Sequence, residues 1–127
     1  DGMIGRIMAI DLEHHRPAWV IDQPAPQSTS LLATAGGVVF SGDLDPALKA
    51  FDDNTGELLW QAPLDDLPSS TLVTYRIGER QYVAVVVGQS NFHVRDIART
   101  YNEFRATEGL PAIDPPRGGP AIWVFAL

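Results

Sequence analysis

The chain has 127 residues, 45% of them apolar, with 11 glycines, 10 prolines and no cysteine. That composition supports a core and favours a turn-rich fold, while the lack of cysteine removes disulfides and thiolate metal sites. A net charge of −7 argues against a nucleic-acid surface, which needs clustered Lys and Arg to meet phosphates.

In chain order, Asp1-Gly2-Met3 shows neither the basic nor the apolar region of a signal peptide. No apolar run approaches the ~18 residues of a membrane span. A strand pattern begins almost at once, at Arg6–Ile10. So abrupt a beginning leads us to expect a piece cut from a longer polypeptide.

Two stretches then align. "AIDLEHHRPAW" (9–19) and "AFDDNTGELLW" (50–60) share Ala9/Ala50, Asp11/Asp52 and Trp19/Trp60 at a period of 41 residues. Each is preceded by a strand-like run, "GRIM" and "PALK". A period of about 40–45 residues with strands and turns is the spacing of one propeller blade. In the second copy Asn54-Thr55-Gly56 is turn chemistry, with Gly56 free to take a positive φ. In the first copy His15 stands where Gly56 does. A left-handed His15 would cost about 1 kcal/mol, so a differently built turn is expected there.

Further strands are predicted at 31–34, 38–41, 48–51, 57–61, 70–75, 81–87 and 122–127, from their alternation and bounding turn residues. Between Val87 and Ile122 the pattern changes. Val94, Ile97, Ala98, Tyr101 and Phe104 fall on one helical face, and Ser90 or Asn91 is a candidate cap. "DPPRGGP" reads as a rigid exposed loop. Residues 89–120 are therefore predicted to be an insertion carrying one helix, laid over partial propeller blades that span 1–127. The last strand needs a partner. Closed propellers pair it with a strand from the other end of the chain.

Several constellations have a plainer reading beside the chemical one. His14-His15 resemble metal ligands, but neighbours in extended chain point apart and His93 is remote in sequence, so a surface turn is expected. "DDNTG" opens like a calcium loop, but its twelfth position is Pro63, so the EF-hand reading fails. Asp65-Asp66 are expected in a solvated loop before Pro68 rather than as an acid–base pair. "GGVVFSG" lacks the dinucleotide glycine spacing. Ser69-Ser70 has no histidine near it in sequence, so no nucleophile is expected there. Trp19, Trp60 and Trp123 are expected to pack blades rather than ligands. The helix with Tyr101 and Phe104 is a substrate lid, an acceptor contact or an ordinary cover.

Four stretches carry a family resemblance: "LLATAGGVVFSGDLD" (31–45), "LKAFDDNTGELLW" (48–60), "PSSTLVTYRIGERQYVAVVVG" (68–88) and "AIWVFAL" (121–127). Together, and in this order, they resemble the C-terminal end of the quinoprotein dehydrogenases, the pyrroloquinoline quinone (PQQ) dependent alcohol and sugar dehydrogenases. The resemblance implies an all-β fold: β-propeller blades of four-stranded antiparallel sheets, the C-terminal part of an eight-bladed propeller, with one helical insertion. It implies PQQ held on the axis against a calcium ion. An alcohol or sugar is oxidised by hydride transfer to the quinone, usually in the periplasm, and electrons pass to an acceptor such as cytochrome c or ubiquinone. The chain would hold about two to three blades. Its partners would be the remaining blades, and an isolated piece would self-associate through open strand edges.

The resemblance places Asp45 at the cofactor end, where a carboxylate near a quinone carbonyl could tune it. A turn before Pro46 suits the same aspartate. Ser28 stands where methanol-oxidising members have a tryptophan against the quinone, which points to another branch. Sugar-oxidising members often place a histidine after "VVVG"; the matching position lies near Ser90. The family's catalytic aspartate, calcium ligands and quinone-stacking aromatic belong to earlier blades, so the chain alone is expected to be inactive. Two rivals remain open: a non-catalytic propeller of PQQ-like repeats serving as a protein-interaction scaffold, and a small β domain that dimerises through its edge.

Overall fold

The computed structural model describes residues 2–89 and 92–127. Nine strands and one helix follow in the order β1 (Gly5–Asp11), β2 (Arg16–Gln23), β3 (Leu32–Thr34), β4 (Val38–Asp43), β5 (Ala47–Asp52), β6 (Leu58–Pro63), β7 (Val73–Ile77), β8 (Arg80–Val87), α1 (Phe92–Thr107) and β9 (Ala121–Ala126). They form three antiparallel sheets among the described residues: β1-β2, β3-β4-β5-β6 and β7-β8-β9. Only the middle sheet has the four strands expected of a blade.

The repeat seen in sequence is a repeat in space. Ala9 pairs with Trp19 and Ala50 with Trp60, and a register shift follows at the next residue in both hairpins. Asp11 opens the first turn by accepting from the Glu13 and His14 amides at 3.0 and 3.1 Å. Asp52 opens the second from the Asn54 and Thr55 amides at 2.9 and 2.8 Å. These bonds, the His14 amide foremost at Asp11 and the Thr55 amide foremost at Asp52, hold both carboxyls below the usual range. The expected difference at His15 does not occur: His15 takes φ 52° where Gly56 takes φ 75°. The Asp11 acceptor organises the turn, and its bonds to two amides offset the roughly 1 kcal/mol of left-handed strain.

Each repeat tryptophan reaches the following sheet. Trp19 donates from Nε1 to the Asp53 carbonyl at 2.8 Å, and its ring lies where a Cβ on Gly56 would fall, 2.9 Å from Cε3. Glycine is thus required at 56 both for φ and for space. Trp60 meets Phe125 of β9 edge-to-face, with ring centroids 5.2 Å apart. Between the second and third sheets Phe40, Leu48, Ala50, Leu64, Leu72, Val83, Val85 and Val87 form a core. Each fully buried aliphatic side chain of that kind contributes about 1.5–3 kcal/mol.

The third sheet begins later than predicted. Residues 70–72 stay outside β7 because Leu72 turns into the core, 2% exposed, with its amide held by Ser30 Oγ at 3.1 Å. From β3 and β7 onward the two sheets superpose in register. Isolated bridges precede both, Gln27 to Asp43 and Pro68 to Val87. Asp43 pairs with Ala47 and Val87 with Ala121, and a proline precedes each alanine. The connection Leu44–Pro46 in one sheet is therefore equivalent to residues 88–120 in the other.

Helix α1 lies in that longer connection. Its apolar spacing at 94, 97, 98, 101 and 104 forms one stripe, and the stripe covers a second core with Ala25, Leu44 and Leu67. Leu44 belongs to the short connection, so α1 packs over the end of the stack where both connections lie. Tyr101 fixes the helix by donating to the Pro24 carbonyl at 2.9 Å. The helix ends as the Leu110 amide closes onto the Arg105 carbonyl at 2.8 Å. The proposed caps, Ser90 and Asn91, lie outside the described residues.

Asp65-Asp66 is not a solvated loop. Asp66 is 3% exposed and accepts from the Leu67 and Gly119 amides and from Gln89 Nε2, at 2.7, 3.2 and 3.1 Å. Asp65 accepts from Trp123 Nε1 at 2.8 Å, and its carbonyl takes the Gly118 amide at 2.8 Å. The return leg of the long connection is laid directly on this loop. A Cβ on Gly118 would fall 2.7 Å from Asp65, so only glycine allows the approach.

Candidate functional site

The segment before β3 and the segment before β7 meet near the end covered by α1. Ser28 is held by its amide, which donates to the Gly42 carbonyl at 3.0 Å, and the Leu44 amide donates to the Pro26 carbonyl at 3.1 Å. Ser28 and the Asp45 turn are therefore at the same end of the second sheet. The hydroxyl of Ser28 and the Nε2 of Gln27 are buried with no hydrogen-bond partner among the described residues. Ser41 Oγ is a third such atom, and a buried polar group left unmade costs about 1–3 kcal/mol.

A hollow of about 350 Å³ lies there. Ser28 and Thr29 line it from one repeat, Ser69, Ser70 and Thr71 from the next, and His93 from the first turn of α1. Hydroxyl and amide donors over so small a space suit a ligand rich in carbonyl or carboxylate oxygens. No local signal places a histidine near Ser69-Ser70, because His93 arrives through the packing of α1 on Leu44 and Leu67.

Asp45 does not line this hollow. It is exposed on the β4–β5 turn, and its amide donates to Asp43 Oδ1 at 3.1 Å. The buried carboxylate is Asp43, which sequence reasoning missed. Asp43 is 1% exposed and receives Lys49 Nζ at 2.5 Å and Gln23 Nε2 at 3.3 Å. Burial pushes its carboxyl up to about 6, against the opposing pull of Lys49. The available signal was Lys49 itself, a lysine on a strand between Leu48 and Ala50, where a charge needs a partner. Gln23 also donates to the Ala25 carbonyl at 3.1 Å, which ties β2 to the same cluster.

His14 sits on the first hairpin turn with Nδ1 2.7 Å from Asp11 Oδ2. Among the described residues no three His, Asp or Glu side chains gather into a metal-sized cluster, and no helix is long and apolar enough to cross a membrane.

Stacked antiparallel sheets at a 41-residue period, joined by a tryptophan per repeat, define a β-propeller-type protein with a donor-lined hollow at one end of its blades. Residues 4–83 match the family described as "Glucose/ethanol/alcohol dehydrogenase, beta-propeller domain", and the chain belongs to this PQQ family. It is 40% identical over 84 residues to a quinohemoprotein alcohol dehydrogenase of Comamonas testosteroni, covering 66% of this chain and 12% of that protein. It is 38% identical over 84 residues to the 1-butanol dehydrogenase (cytochrome c) of Thauera butanivorans, with the same coverage. A solved europium-containing methanol dehydrogenase matches all of the chain at TM-score 0.74 and 25% identity, with 24% of that protein covered. The chain thus spans 12% of the length of the curated relatives named here.

Proposed function

We propose that this chain forms part of the propeller of a PQQ- and calcium-dependent dehydrogenase that oxidises an alcohol. The observation that carries the proposal is the hollow lined by hydroxyls of two repeats, Ser28, Thr29, Ser69, Ser70 and Thr71, in a chain whose relatives are described as alcohol dehydrogenases. PQQ carries carboxylates and quinone carbonyls, all acceptors, and the residues present fit such a group. When bound, it supplies the acceptor for a hydride from the carbinol carbon.

In this reading Ser28 and Gln27, which line the hollow, donate to ligand oxygens. Asp45 is the carboxylate of the same end. Asp43 anchors its turn through the Asp45 amide, and Lys49 and Gln23 hold Asp43. The calcium ligands and the catalytic base lie outside this chain. Electrons leave to a cytochrome c or to ubiquinone, and the protein works in the periplasm.

The test uses the whole protein that carries this chain, prepared without cofactor and titrated with PQQ and calcium. Alcohol-dependent reduction of an artificial acceptor is expected. Ser28→Val with Gln27→Leu is expected to weaken PQQ uptake about tenfold or more, since each lost bond is worth roughly 0.5–1.5 kcal/mol. Uptake unchanged in the double variant removes these residues from the cofactor site. PQQ uptake with no alcohol oxidation removes the assigned reaction.

A further inference from the structure

Glycine inside a strand packs nothing and weakens it, and often marks a place where another part of the chain comes close. Gly42 is such a residue, between Ser41 and Asp43 in β4. A Cβ there would fall 2.8 Å from Thr29 Cγ2 and 3.0 Å from Pro68 Cβ and Cγ. Thr29 belongs to the first hydroxyl segment of the hollow, and Pro68 immediately precedes the second, 69–71. Both walls therefore close on a backbone position that has no side chain to hold them apart. Gly42 does not itself line the hollow; it carries the first wall by its backbone. Its carbonyl accepts from the Ser28 and Thr29 amides at 3.0 and 3.3 Å, and its amide donates to Thr29 Oγ1 at 2.8 Å. The Leu72 amide, donating to Ser30 Oγ at 3.1 Å, ties one segment to the other.

The next repeat shows that the backbone pattern alone does not demand glycine. Val86 stands at the equivalent position of β8, and its carbonyl accepts from the Ser69 amide at 3.0 Å as Gly42 accepts from Ser28. Val86 carries its side chain 38% exposed. What differs at Gly42 is the neighbour, because Pro68 of the following repeat lies against it. We infer that Gly42 is a positioning residue for the hollow: its missing side chain sets the separation of the 28–30 and 69–71 walls, and so the thickness of ligand that both can grip. The separation rests on these contacts; its effect on cofactor uptake rests on the reading above, in which PQQ occupies the hollow. A flat ligand with oxygens along its rim is the shape that two facing rows of hydroxyls hold, and a Cβ between the rows spreads them.

Gly42→Ala, alone and combined with Thr29→Ser, tests this in the whole protein that carries the chain. Thr29→Ser removes the methyl that the new Cβ meets first and keeps the hydroxyl that accepts from the amide of residue 42. Gly42→Ala is expected to weaken PQQ uptake about tenfold, the scale of an overpacked contact, with the loss in uptake rather than in kcat of the loaded protein. The double variant should recover most of the uptake, because both substitutions act on one contact. Hydrogen exchange gives a readout without cofactor. The Ser28 and Leu44 amides, which donate to the Gly42 and Pro26 carbonyls, should exchange faster in Gly42→Ala while β1 does not, and should return in the double variant. Exchange unchanged by Gly42→Ala, or changed equally in both variants, overturns the inference. If exchange changes and recovers while PQQ uptake never moves, Gly42 spaces the hollow and the cofactor reading alone fails. Should Gly42→Ala not fold, folding and uptake in the double variant support the inference, and failure of both overturns it.

Discussion

The second and third sheets solve the same problem with opposite amounts of chain. Both run their second strand into their third at the same end of the stack, from Asp43 to Ala47 and from Val87 to Ala121. The short connection is pinned by a buried ion pair, Asp43 with Lys49. The long one is pinned by a buried carboxylate that meets neutral donors, Asp66 with the Gly119 and Leu67 amides and Gln89. A tight turn needs little more than a local acceptor. A long excursion must be fastened at its return, or the entropy of ordering it goes uncompensated. Length at this point places a helix over the Leu44 end of the sheets.

The comparison can be broken most severely at the short connection. Lys49→Met leaves Asp43 buried without its cation, and a loss of about 3–5 kcal/mol at pH 7 is expected in urea unfolding. The loss should shrink at pH 5, where a protonated Asp43 no longer needs the cation.

The pH dependence of Asp43 comes next. Its folded carboxyl titrates near 6, above its ordinary value of 3.8. Folding therefore takes up a proton between those values, and this group's contribution to stability falls as pH rises from about 4 to about 6. The difference across the window is at most ~3 kcal/mol. Asp11, Asp22 and Asp52 are shifted down, each first by a hydrogen bond, from the His14 amide, from Arg6 and from the Thr55 amide respectively. Their contribution is present above their unfolded values and is lost as pH falls through the lower folded ones. Subtracting the stability profile of Asp43→Asn from that of the unaltered chain isolates the Asp43 window. A flat difference would show that Lys49 keeps Asp43 ionised throughout.

At the long connection, Asp66→Ala strands the Gly119 and Leu67 amides, and a loss of about 2 kcal/mol is expected. Hydrogen exchange should quicken at Gly118–Gly119 more than in β8. Uniform acceleration would mean that the latch supports the sheet rather than the insertion. The smallest effect belongs to the two hairpin turns. His15→Gly should stabilise the chain by at most about 1 kcal/mol, because the left-handed strain it removes is partly offset by the greater entropy of glycine in the unfolded chain. The Tm should rise accordingly.

Much of this architecture was legible before any coordinates. The 41-residue alignment found the equivalent hairpins, even to the paired Ala and Trp, because turn and strand chemistry is local. The stripe at Val94, Ile97, Ala98, Tyr101 and Phe104 found α1 for the same reason. The exposure of Asp65-Asp66 was misread because what buries it arrives some fifty residues later, with Gly118, Gly119 and Trp123. At the candidate site, Ser28 was chosen through the family resemblance and lies in a hollow. The buried carboxylate, Asp43, lies two residues from Asp45, and its signal in the sequence is Lys49, a charge between Leu48 and Ala50 on the paired strand.

By itself the sequence determined the period, the Asn54-Thr55-Gly56 turn and the amphipathic helix, all set by interactions a few residues apart. Only the tertiary structure decided which carboxylates are buried, that His93 shares a hollow with serines of two repeats, and that α1 stands over the Leu44 end. Those depend on side chains remote in sequence being pressed together, where loss of water rather than residue type sets the chemistry.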